Sequence, residues 1–171
     1  MLKRSAQEAP FYPGALVLAA TIVLLDQVSK ILVQCMLPVW SVHPVIPGFF
    51  NLVHVQNRGA AFGFLSQASG LWQPVFFIIV SVIAVAVILS LMWTTSRRDR
   101  FFHVSLGFIL GGALGNLADR IRLGTVTDFL DLYVGRYHWP AFNLADICIS
   151  VGAFLLLIAV YRQGRHASNS D

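Results

Sequence analysis

Charge is what this sequence has least of. Only 12% of its 171 residues are charged, and Asp and Glu together number eight, whereas a soluble domain carries charge on about a quarter of its residues. With 57% hydrophobic residues and a mean hydropathy of +0.71, an ordinary soluble domain is excluded and a small polytopic membrane protein is indicated. Cysteine is nearly absent. Cys35 and Cys148 lie at or within apolar runs, without CxxC spacing or a His cluster. They read as packing residues, not as a disulfide or a metal site, and neither metal nor cofactor is expected. The chain shows no internal repeat, no low-complexity tract and no second domain.

The scarce acids are informative by position. Glu8, Asp99 and Asp171 occupy polar stretches, which leaves Asp26, Asp119, Asp128, Asp131 and Asp146 in or against hydrophobic sequence. Carboxylates beside lipid are costly to keep, so these are functional candidates by default.

Four stretches are long enough to cross a hydrocarbon core: 13–35, 74–93, 101–118 and 141–161. The net charge of +4 could suggest nucleic acid, but the bases follow topology instead of forming a patch suited to phosphates. Lys3 and Arg4 precede span one, Arg97, Arg98 and Arg100 separate spans two and three, and Arg162 and Arg165 follow span four. By the positive-inside rule these regions and both termini are cytoplasmic, and the connections 36–73 and 119–140 face outward. The first apolar run is too long for a signal peptide and carries Asp26 and Lys30, so it reads as a retained anchor.

In the first outer connection three prolines are followed by alternation, with Val53 and Val55 opposite His54 and Gln56. That pattern is strand-like. Residues 126–134 alternate in part, so the two outer segments are expected to pair as a small sheet at the interface, where no strand edge lies bare in lipid. Gly59 to Leu65 is expected to form a short interfacial helix.

Asp26 and Lys30 are four apart on span one and can pair on one helix face, either to orient helices or to bind. Ser29 and Lys30 point about 100° apart, which disfavours a Ser–Lys nucleophile. Asn57 can serve as a turn residue or face a ligand. Gly107, Gly111 and Gly115 form a small-residue face for helix packing. Asn116, Asp119 and Arg120 follow at spacings that stack them, as a structural network first and a ligand contact second. Pro140 suits the first position of span four, which would put Asp146 about 9 Å below the helix start, too deep for a strong helix-end effect. Asn143 would then share its face, and Asp128 on the outer segment could hang over the same point. In the alternative, Asp128 caps a turn and Asp146 pairs with Arg120 or Arg122.

Taken together and in order, DQVSK, NRGAAFG, GGALGNLADR, VTDF and FNLAD make the chain resemble the lipoprotein signal peptidases, or signal peptidase II. Each motif is weak alone, and five in register are specific. The resemblance runs from span one to span four. It implies a four-transmembrane-helix bundle with an outer β cradle and a short interfacial helix. It also implies a bacterial inner-membrane aspartyl protease that cleaves before the lipid-modified cysteine of diacylglyceryl-prolipoproteins and is sensitive to globomycin. On the matching motifs Asp128 and Asp146 would be catalytic. Asn57, Asn116, Arg120 and Asn143 would support them or bind substrate, and Asp26, Lys30 and Asp119 would be structural. The expected partners are the prolipoprotein and membrane lipid, with no nucleic acid, and the chain is expected to be a monomer. The rival class is a proton-coupled transporter or membrane scaffold, against which stand the missing repeat and the gathering of polar motifs at one end.

Overall fold

In the computed structural model, which describes residues 11–59 and 72–168, four helices carry a four-stranded antiparallel sheet at one end. Helix α1 spans Pro13–Met36, β1 Val42–Ile46, β2 Phe50–Asn57, α2 Trp72–Thr94, α3 Arg100–Leu123, β3 Val126–Val134, β4 Tyr137–His138 and α4 Leu144–Ser168. All four helices are long and apolar enough to cross a membrane. The segment expected to form the interfacial helix falls, from residue 60 on, outside the described residues.

Local chemistry sets the ends. Proline opens α1, where its missing N–H costs nothing. The carboxylate of Asp99 caps α3 by accepting from the Phe102 N–H at 2.9 Å, and Gly124 ends that helix in the left-handed conformation at φ 71°. Helix α3 packs against the other three and is the most buried of them. Its glycines are the reason. A Cβ on Gly107 would lie 2.8 Å from the Ala15 carbonyl oxygen of α1, and one on Gly112 would collide with the Ala145 carbonyl oxygen of α4. The wide apolar faces that α2 and α4 leave exposed, including Ile79, Ile83, Phe154 and Leu157, suit hydrocarbon.

The strands run in the order β1-β2-β3-β4. Pairing of β2 with β3 sets Asn57 opposite Val126 and Val55 opposite Asp128, which holds Asp128 over the ends of the helices. The two outer segments therefore do pair. The register shifts between Leu52 and Val55, so Val53 and His54 are buried side by side in place of the simple alternation expected.

Two boundaries differ from expectation. Helix α3 continues to Leu123, so Asp119, Arg120 and Arg122 belong to it and not to the outer connection. Helix α4 begins at Leu144, not at Pro140, because Phe142 is taken up by β3: its N–H donates to the Leu130 carbonyl at 3.0 Å, and its carbonyl accepts from Phe129 and Leu130 at 3.0 and 2.9 Å. Asp146 thus stands in the first turn of α4, not 9 Å deep. Cys35 and Cys148 are both free thiols. Cys148 packs inside, whereas Cys35 is exposed and does not serve the packing role expected of it.

Candidate active site

Asn143 is the hinge of the constellation. It caps α4 reciprocally: its side-chain oxygen accepts from the Asp146 N–H at 3.0 Å, and its own N–H donates to Asp146 Oδ2 at 3.2 Å. This is a capping box with Asn and Asp in place of the usual Ser or Thr and Glu. The same side chain donates through Nδ2 to Asp128 Oδ1 at 2.7 Å and, at longer range, to Asn116 Oδ1 at 3.2 Å. One buried asparagine therefore ties the carboxyl from the sheet to the carboxyl from α4.

The remaining donors complete the two carboxyls. Asn57, at the end of β2, donates to Asp128 Oδ2 at 3.0 Å, while its oxygen accepts from the Gly59 N–H at 2.9 Å and fixes the turn. Asn116 of α3 donates to Asp146 Oδ1 at 2.8 Å. Asp128 is 2% exposed, while Asp146 is half-buried. Burial pushes the Asp128 carboxyl up to about 7. The neighbouring charge of Asp146 adds to the rise, and the amides of Asn57 and Asn143 and the Lys30 ammonium oppose it.

Beneath this pair lies a buried ionic layer. Lys30 Nζ lies 2.9 Å from Asp26 Oδ2 and 3.3 Å from Asp119 Oδ2 and donates to Asn116 Oδ1 at 2.8 Å, with all three charged side chains fully buried. The expected Asp26–Lys30 pair is therefore one side of a triad. Its carboxylates also reach outward: Asp26 Oδ1 accepts from the Ala145 N–H at 3.0 Å, and Asp119 Oδ2 from the Thr127 N–H at 3.0 Å. The layer thus fixes both the start of α4 and the strand that bears Asp128.

Arg120 makes no hydrogen bond or ion pair to either carboxyl, although its charge interacts with Asp146, Asp128 and Asp119. Its Nη1 donates weakly to the Asn116 carbonyl at 3.4 Å, its guanidinium lies 5.5 Å from the Phe77 ring centroid, and among the described residues it makes no ion pair. Arg122, not Arg120, approaches an acid, Asp119, at 3.7 Å. The alternative in which Asp146 pairs with an arginine is not what forms. Gln27 is the member that sequence reasoning missed: it donates to Asp119 Oδ1 at 3.0 Å, to the Gly115 carbonyl at 3.1 Å and to Asp26 Oδ2 at 3.3 Å. A polar residue next to Asp26 in an otherwise apolar span was the available signal. Asp131 is used elsewhere on the sheet, accepting from Asn51 at 2.7 Å and bonding His138 at 2.9 Å.

Two carboxyls joined through Asn143 lie where helices and sheet meet, and four helices long and apolar enough to cross a membrane, under a small antiparallel sheet, define an integral-membrane architecture. Two solved bacterial membrane enzymes share it. One matches with a TM-score of 0.79 at 30% identity, covering 90% of this chain and 91% of that one, and the other with 0.78 at 28%, covering 88% and 94%. The chain belongs to the signal peptidase (SPase) II family, whose profile matches residues 18–162. Among curated relatives, the lipoprotein signal peptidase of Maridesulfovibrio salexigens is 50% identical over 85% of this chain and 94% of its own length. That of Nitratidesulfovibrio vulgaris is 51% identical over 89% and 92%.

Proposed function

We propose that this protein is an aspartic endopeptidase of the inner membrane that removes signal peptides from diacylglyceryl-modified prolipoproteins, cutting just before the lipidated cysteine. The observation that carries the reading is the single asparagine shared by two acids, with Asn143 Nδ2 2.7 Å from Asp128 and its backbone N–H 3.2 Å from Asp146. Two carboxyls held this way do not both ionise cheaply, so near neutral pH the pair retains one proton. The ionised member takes a proton from a water as that water attacks the scissile carbonyl. The protonated member donates to the carbonyl oxygen and stabilises the tetrahedral intermediate. Transfer of a proton to the leaving amine breaks the C–N bond.

Asn57 and Asn116 act as positioning residues, each donating to one carboxyl. Arg120, which makes no direct ion pair among the described residues but whose charge acts on Asp146 and Asp128, is assigned to substrate binding. Asp26, Lys30 and Asp119 hold the start of α4 and the strand that bears Asp128. The chain works as one integral-membrane domain with the dyad toward the periplasmic side, so signal peptide and acyl chains stay in lipid while the scissile bond meets water at the interface.

The test is cleavage of a lipidated prolipoprotein peptide by purified protein without a gradient. Asp128→Asn and Asp146→Asn should each melt like the parent and cleave at least about a thousandfold more slowly. Retained cleavage in either would remove the dyad, and absence of cleavage by the parent would overturn the proposed two-aspartate mechanism and cleavage position. Globomycin should inhibit the parent.

A further inference from the structure

The sequence assigns Arg97, Arg98, Arg100 and Arg162 to topology alone, but the fold gathers them. Helix α4 returns Arg162 to the start of α3, at the end of the bundle away from Asp128, about 24 Å along α3 from Asn116 at 1.5 Å per residue. Two open cavities lie there. One, of about 360 Å³, is lined by Arg98, Asp99, Arg100, Phe101, Arg162 and Gln163 among others, and the second, of about 320 Å³, by Tyr12, Arg97, Arg98 and Arg100. Arg98 and Arg100 belong to both.

None of these four guanidinium groups makes an ion pair with an acid among the described residues. Asp99, the one carboxylate in the lining, is already used at both oxygens. Oδ1 accepts from Phe102 N–H at 2.9 Å and Oδ2 from Gln163 Nε2 at 2.6 Å. The larger cavity therefore holds three arginines against one aspartate, a net charge of +2. Two of the guanidiniums are seated on rings, Arg162 5.7 Å from the Phe101 centroid and Arg100 5.8 Å from that of Tyr12. Stacking uses the flat face of a guanidinium and leaves its in-plane N–H donors free for an anion.

The surroundings identify the anion's other half. Leu157, Val160 and Tyr161 on α4 and Trp93 at the end of α2 are more than half exposed on the adjoining helix surfaces. A ligand with a phosphate at the arginines and acyl chains along those side chains satisfies both regions. A signal peptide would not, because its basic leading segment would meet like charge. We propose that this cluster is a binding site for the phosphate headgroup of an anionic phospholipid, one that seats the end of the bundle remote from the dyad in its leaflet.

The test uses the full chain in a neutral maltoside detergent, with lipid retention read by native mass spectrometry. Dioleoylphosphatidylglycerol should be retained in preference to dioleoylphosphatidylcholine. The combined variant Arg98→Gln, Arg100→Gln, Arg162→Gln should lose that preference by roughly a hundredfold, and Arg162→Gln alone by about fivefold. Peptide cleavage in the same neutral detergent should be unchanged, since none of the three touches the dyad. Should the triple variant fail to melt cooperatively, the single exposed substitution carries the test. Equal retention of the two lipids, or a preference indifferent to the arginines, would overturn the proposal. So would displacement of phosphatidylglycerol by equimolar inorganic phosphate, which would mark a site for the free ion.

Discussion

Asn143 has both ends of its amide engaged, the oxygen on the α4 backbone and the nitrogen on Asp128. Asn143→Ala should therefore act twice. Loss of the cap costs about 1 kcal/mol, visible as a lower melting temperature. With Asp128 in the proposed catalytic role, release of its carboxyl should cost roughly a hundredfold in kcat, because small misplacements of a reacting group are expensive. The pH dependence follows from Asp128, whose carboxyl is pushed up to about 7. Below that value the proposed dyad keeps its proton and can act as an acid. Above it the proton is lost, so kcat/KM should fall by about tenfold per pH unit on the alkaline side. A flat profile between pH 7 and 9 would contradict a shared proton. Both carboxyls and their three asparagines were legible as residues in the sequence. The part played by Asn143 in joining them was not, since spacing of three suggested only one of its partners.

Between elements, the decisive contacts are α1 on α3. A Cβ on Gly115 would sit 2.5 Å from Asp26 Oδ2, and Asp26 is the carboxylate that also caps the Ala145 N–H. Gly115→Ala should lower stability by about 1–3 kcal/mol through overpacking, and should slow cleavage as well, because the start of α4 moves with Asp26. Lys30→Met removes the cation between Asp26 and Asp119 and leaves two buried carboxylates facing each other. Its cost should reach about 3–5 kcal/mol, measured as loss of the cooperative melt. The glycine repeat and the i, i+4 pair were readable from spacing. The third member of the ionic layer was not, because Asp119 lies 89 residues beyond Lys30 and only the packing of α1 on α3 joins them. Hydropathy likewise stopped α3 at 118, since its last turn is polar, although its backbone hydrogen bonds continue until Gly124.

For the molecule as a whole, the arrangement of bases predicts that the sheet and the dyad face the periplasm while the loop joining α2 to α3 faces the cytoplasm. In a Cys35→Ser background, Arg136→Cys in the β3–β4 turn should react with an impermeant maleimide in intact cells. Ser96→Cys should react only after permeabilisation. The reverse pattern would invert the topology. By itself the sequence determined what depends on composition and short spacing: four apolar helices, paired outer strands, a small-residue face on α3, and the acids and asparagines from which a site could be built. Only the tertiary structure decided which of them meet. It withdrew Phe142 from α4 into the sheet, brought Asp146 up to the first turn beside Asn143, made a triad of a pair, and gathered distant arginines around two cavities. Hydropathy and periodicity report the environment of each segment along its own axis. Contacts between residues dozens of positions apart arise from the register of helix on helix and strand on strand, which no single segment encodes.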